Sequence, residues 1–166
     1  ANLPYALFAG RLYSQVGDAG LESQIYAEEF FRKALEISPD NNESLLMLGE
    51  CLFKQERYSE AIRIFEKAMG RNPSELSESA VPLIAAAYIY DEQFEHGERF
   101  LRSALSADPD ADYARISLAL VLNMQKKTSE AANELKKVIG RPAVRPELKL
   151  YASNLLRNIE KWWTEE

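Results

Sequence analysis

Few residues of this 166-residue chain have the type and spacing that chemistry requires. Asp108, Asp110 and Asp112 alternate like the first ligands of a calcium loop, but Tyr113 stands where the tight turn needs glycine and Ala119 where the closing glutamate belongs. They read instead as helix-capping residues. Asn42-Glu43-Ser44 satisfies the glycosylation sequon, yet it lies at a predicted helix start and is also read as capping. Cys51 has packing residues Gly49 and Leu52 beside it, Glu50 as its neighbour and no base before Lys54, the setting of a buried, inert thiol. His96, between Glu95 and Gly97, is expected in a turn or on the surface, with no role. One cysteine and one histidine allow neither an internal disulfide nor a zinc site of the usual spacing. There is no glycine-rich phosphate loop and no Ser or Cys arranged with histidine and carboxylate. The sequence therefore predicts no catalytic residues, no metal and no cofactor, and the chain does not read as an enzyme.

The elements that carry these residues come from a chain that is 46% apolar and 28% charged, with net charge -6, enough for one well-buried domain. The longest nearly unbroken apolar stretch, Ala80–Tyr90, is well short of the roughly 18 residues of a membrane span. The charge is unevenly placed. Residues 1–114 carry 10 Lys+Arg against 20 Asp+Glu, net -10, whereas residues 115–166 carry 10 against 6, net +4. An acidic body works against nucleic-acid binding, and Lys126, Lys127, Lys136 and Lys137 are not interleaved with stacking aromatics. Because the chain opens at Ala1 without methionine, it is expected to be a processed or excised piece; its compartment is not readable, and a soluble domain of cytoplasmic or periplasmic type fits equally.

Internal repetition is the strongest signal. Pro39, Pro73, Pro109 and Pro142 are spaced by 34, 36 and 33 residues. Each follows a helical face with a small residue, a large apolar one four later and a smaller one three later: Ala27-Phe31-Ala34, Ala61-Phe65-Ala68, Gly97-Leu101-Ala104 and Ala131-Leu135-Val138. A partner helix precedes each, marked by Leu45, Leu48-Gly49 and Leu52, by Val81, Ile84-Ala85 and Tyr88, and by Leu118-Ala119 and Leu122. Small residues let the two backbones approach and the prolines end the second helix. A last helix is predicted from about Pro146 to Trp163, with Leu148, Ala152, Leu155, Ile159 and Trp162 on its buried stripe and Tyr151, Leu156 and Trp163 off it.

These residues resemble the tetratricopeptide repeat (TPR) family, with its W-x2-L-G-x2-Y, A-x3-F and terminal P pattern. Residues 42–75 match best: Leu45, Leu48-Gly49, Leu52, Ala61, Phe65, Ala68 and Pro73. The third unit departs by Gly97 and two extra residues, and the fourth by Arg115 at the aromatic place, by Val138 and by an early Pro142. In the first, Ala6, Ala9-Gly10 and Tyr13 fit if the turn within Val16 to Ser23 carries five extra residues. The resemblance implies an all-α fold: a right-handed α-solenoid of about four antiparallel helix pairs with a C-terminal capping helix. It implies a single domain over 1–166, with repeat units near 3–41, 42–77, 78–111 and 112–145 and a cap over 146–164.

The resemblance further implies that the first helix of each pair lines a concave groove for a partner segment. The inward places are Leu7, Arg11 and Ser14; Glu43, Leu46, Met47, Glu50, Phe53 and Lys54; Ser79, Pro82, Leu83, Ala86, Ile89 and Tyr90; and Tyr113, Ile116, Ser117, Leu120, Asn123 and Met124. So apolar a wall is the kind of patch that marks an interaction site. The carboxylate clamp of family members that hold acidic chaperone tails is missing, since Leu7, Arg11, Met47, Ser79 and Leu83 stand at its places. An apolar or amphipathic segment of another protein is the expected ligand, with Glu43 and Glu50 selecting basic flanks. Two other readings stand beside this adaptor: a self-assembling scaffold joined through Tyr151, Leu156, Trp162 and Trp163 of the last helix, and the interaction arm of a longer protein such as a membrane-anchored assembly factor.

Overall fold

The computed structural model describes residues 2–16, 21–69 and 80–164. Among the described residues there are nine helices and no strand: α1 (Leu3–Val16), α2 (Leu21–Ile37), α3 (Asn42–Lys54), α4 (Tyr58–Met69), α5 (Ala80–Tyr90), α6 (Phe94–Ala107), α7 (Asp112–Met124), α8 (Thr128–Gly140) and α9 (Pro146–Thr164). The fold is the expected all-α array of helix pairs. Pro73, Ser79 and the centre of the turn between α1 and α2 lie outside the described residues. The chain divides into two compact units, residues 1–76 with α1–α4 and residues 77–166 with α5–α9.

In the first unit α1 packs on α2, α2 on α3 and α3 on α4. The glycines mark the closest approaches. A Cβ on Gly10 would come within 2.7 Å of the Phe31 ring, and one on Gly49 would run into the Phe65 ring, so the small-large pattern records backbones already in contact with an aromatic face. Asn41 caps α3: its Oδ1 accepts from the Ser44 backbone N–H and from the Ser44 hydroxyl, both at 2.7 Å. After α3 the chain turns through Gln55-Glu56-Arg57, with Glu56 left-handed at φ 60°. That turn holds the preceding helix. Arg57 donates to Glu28 of α2 at 2.7 Å, while Gln55 Nε2 donates to the same carboxylate at 2.9 Å and to the Gln24 carbonyl at 3.4 Å.

The second unit repeats the device. α5 packs on α6 and α7, α6 on α7, α7 on α8, and α8 on α9. The turn Gln125-Lys126-Lys127 has Lys126 at φ 61°; Lys127 donates to Glu98 of α6 at 2.7 Å, and Gln125 Nε2 to Glu98 at 2.9 Å and to the Phe94 carbonyl at 3.2 Å. Two of the departures from the repeat pattern, Gly97 and Arg115, have physical explanations here. Gly97 compensates for a larger neighbour: α5 has Ala85 where α3 has Gly49, and the Gly97 position is where a Cβ would meet Tyr88 at 2.9 Å. Arg115 replaces an aromatic with an ion pair, donating to Glu134 of α8 at 2.8 Å and to the Pro109 carbonyl at 2.6 Å, both side chains almost buried.

Two local expectations change. No side chain caps α7, whose N-cap is Ala111; Asp108 instead accepts from the Asp110 backbone N–H at 2.9 Å, and Asp112 accepts from Arg141 at 3.0 Å. In α9, Leu148, Ala152 and Ile159 are buried, but Leu155 is only half-buried.

Candidate functional site: the inner faces of the first helices

In the first unit the expected wall is more polar than its sequence implies. Arg11 of α1 forms an ion pair with Glu43 of α3, and Lys54 pairs with Glu50 at 2.9 Å, so both carboxylates expected to select a basic ligand already face a cation of this chain. Leu46, Met47 and Phe53 are half-buried, Phe53 edge-on to Tyr58 at 5.3 Å. Little apolar surface stands proud of this face.

The second unit differs. α5 is apolar on every side; Val81, Ile84, Ala85, Ala87 and Tyr88 form its buried face, Leu83, Ala86 and Ile89 are half-buried, and Tyr90 is 63% exposed. On α7, Met124 holds the position equivalent to Tyr90 and is 49% exposed. Leu120 is half-buried, and Tyr113 lies under the Arg145 guanidinium at 5.4 Å, its hydroxyl accepting from Arg145 at 3.3 Å. Between α7 and α9 a cavity of ≈ 230 Å³ opens, lined by Leu120, Asn123, Leu155, Asn158 and Ile159. Ile116 is corrected: at 3% exposure it belongs to the core, as does Ser117, because α7 is covered from more than one side.

Of the residues expected in self-association, Tyr151 is exposed and Leu156 half-buried, while the Trp162 and Trp163 side chains lie outside the described residues. Missed by sequence reasoning is an aromatic surface on the first helix pair, where Tyr13 stacks on Phe30 at 5.7 Å and leans on Tyr26 at 5.4 Å, with Tyr5 edge-on to Phe30 at 6.1 Å. Its signal was present in the spacing of Tyr5, Phe8 and Leu12, which matches a core stripe.

The chemistry available is limited. Cys51 is buried, and desolvation, aided by the Glu50 charge, pushes its thiol up to about 12. His96 is exposed, its Nδ1 2.9 Å from Gln93 Oε1. Among the described residues no group of three or more His, Cys, Asp or Glu side chains could hold a metal ion, and no helix is long and apolar enough to cross a membrane.

A model of the tetratricopeptide repeat family matches residues 27–81. Over those residues the chain is similar to tetratricopeptide repeats. Its fold is similar to that of MamA, 19% identical over 98% of this chain and 88% of that one with a TM-score of 0.70, and of PilF from Pseudomonas aeruginosa, 19% identical over 96% and 70% with a TM-score of 0.68. It is also similar to YrrB, described as a TPR protein with an unusual peptide-binding site, 20% identical over 92% of this chain and 74% of that one with a TM-score of 0.60. No curated protein matches the chain. At these identities the likeness establishes the fold, and TPR folds are in general scaffolds for protein–protein interaction.

Proposed function

We propose that this chain is a non-catalytic adaptor that takes an apolar or amphipathic segment of a partner protein on the inner faces of α5 and α7. The observation that carries the reading is the pair Tyr90 and Met124, exposed at equivalent positions of adjacent repeats, with Leu83, Ala86, Ile89 and Leu120 half-buried on the same helices and the ≈ 230 Å³ cavity alongside. A rigid aromatic with a flexible thioether suits recognition of varied apolar side chains. The cavity can receive one anchor, and its two asparagines can bond a peptide backbone. The peptide-binding site named for YrrB supports peptide recognition by this fold without fixing its place here.

Selection from a phage-displayed peptide library, followed by calorimetric titration, tests this. Enriched peptides should carry apolar residues at helical or alternating spacing, and Tyr90→Ala or Met124→Ala should weaken them roughly tenfold with the helical circular dichroism unchanged. Equal binding by both variants, or no enrichment, would sink the reading.

A further inference from the structure

Helix α1 exposes a face that α7 buries and that α3 and α5 cover in large part. Tyr5, Phe8 and Leu12 form one stripe, with Phe8 67% exposed and the other two about half exposed. Aligned on Ala9-Gly10, Leu48-Gly49 and Leu118-Ala119, these residues correspond to Ser44, Met47 and Cys51 of α3 and to Ala114, Ser117 and Val121 of α7. On α3, packed against α2, Ser44 and Cys51 are buried; on α7, packed against α6, all three are. The covered positions are mostly small, which lets the preceding helix sit close. On α1 all three are large, so a helix docking there stands further off and meets side-chain tips. The face extends onto α2 through exposed Ile25 and Tyr26. Glu22, Glu29 and Glu36, seven residues apart and exposed, line the same helix with acid, Glu29 also accepting from Lys33 at 2.5 Å.

The other end of the chain carries the complement. On α9, opposite buried Leu148, Ala152 and Ile159, runs the stripe Leu150, Asn154, Arg157 and Lys161, with Leu150 64% exposed and Tyr151 exposed beside it. Apolar side chains at one end of that stripe and cations at the other match an apolar face rimmed by carboxylates. The match repeats at the scale of the chain, net -10 over residues 1–114 against net +4 over residues 115–166.

We propose that α9 of one copy docks on the α1–α2 face of the next, so that copies join head to tail. Leu150 and Tyr151 meet Tyr5, Phe8 and Leu12, and Arg157 with Lys161 lies toward the carboxylates of α2. The contact is heterologous: each copy keeps one acceptor and one donor face, and growth continues until a ring closes. It uses neither Tyr90 nor Met124, so the two readings can be tested apart.

Light-scattering mass of the full chain, followed from about 1 to about 300 μM and at about 50 and about 500 mM salt, is the test. Mass should climb above the 18.9 kDa monomer with concentration, and less steeply at high salt. Phe8→Glu and Leu150→Glu, both at exposed positions, should each stop growth and leave the helical circular dichroism intact. Mixed one to one, they should form a dimer that grows no further, because the first keeps a sound α9 and the second a sound α1 face. Glu29→Lys should weaken growth and Arg157→Glu should restore it in the same chain. Tyr90→Ala should associate as the parent does, so failure here and failure of the peptide reading are told apart. A monomer at every concentration, a mixture of the two variants that stays monomeric, or a parent that stops at a dimer without closing a ring would each overturn the proposal.

Discussion

The second and fourth helix pairs solve the same packing problem differently. Both turns run Gln-x-(Arg or Lys) with a left-handed middle residue, and both clasp a glutamate of the preceding helix, Glu28 or Glu98. Inside the pairs the means diverge. α3 meets α4 with the backbone of Gly49 against the Phe65 ring, whereas α7 meets α8 with Arg115 paired to Glu134. An apolar close approach fixes the distance between helices by contact, and its stability comes from buried area. A nearly buried ion pair offsets desolvation with hydrogen bonds and contributes little beyond specifying its partner. Changing Gly49 should therefore cost more than removing both charges.

The largest expected effect is at Gly49. Gly49→Val drives two γ-carbons into the buried Phe65 ring and should destabilise the chain by about 3 kcal/mol or more, read as a fall in the urea midpoint. Gly140→Ala is the matched control: nothing lies within 4 Å of a Cβ there, and alanine favours helix, so stability should hold or rise slightly.

Next comes the ion pair. Arg115→Met leaves Glu134 with only Lys137, at 2.7 Å, and the Pro109 carbonyl without its donor, which should cost on the order of 2 kcal/mol. The double change Arg115→Leu with Glu134→Leu should recover most of that loss, since two apolar side chains of similar size replace the pair without a stranded charge. A double variant less stable than Arg115→Met would mean that the ion pair holds the fourth repeat together, and the contrast between the two repeats would collapse.

What could be read from the sequence follows the same division. Helix pairs were legible because prolines and the small-large-small face recur at a fixed period, and because contact packing leaves its mark within a few residues. The Arg115–Glu134 pair was not: it joins two helices across 19 residues and has no counterpart in the other repeats. The glutamate clasps have a signature, 27 residues to the glutamine and 29 to the base, which shows only when two copies are laid together. Of the expected inner wall, Ile116 proved to be core and Tyr90 exposed, although both are large apolar residues on helices of the same kind. Hydrophobic periodicity marks a face without saying what covers it, and the exposed stripe of α1 escaped notice for the same reason.

The smallest effect separates the two clasps by pH. The hydrogen bond from Lys127, helped by Gln125 and Arg102, holds the Glu98 carboxyl at about 2 against the opposing effect of burial. At Glu28, burial is the largest influence and raises the pKa, yet the hydrogen bonds from Gln55 and Arg32 and the charges of Arg32 and Arg57 still leave it lowered. Both carboxyls titrate below their unfolded values, so each contributes stability that is complete above about pH 4.5 and fades as pH falls toward the folded pKa. For Glu98 the contribution is about 1–2 kcal/mol once solvent screening is allowed for. Lys127→Met should raise the Glu98 carboxyl toward its ordinary value and flatten stability between pH 4.5 and 2, seen in urea midpoints and in a side-chain NMR titration. Arg57→Met should move Glu28 less, because the Arg57 charge is the smallest of the influences that lower Glu28, whereas the Lys127 hydrogen bond is the largest at Glu98. An equal response from both variants would show that the lysine and arginine arms carry the same share of the two clasps, and that the hydrogen-bonding glutamines matter little.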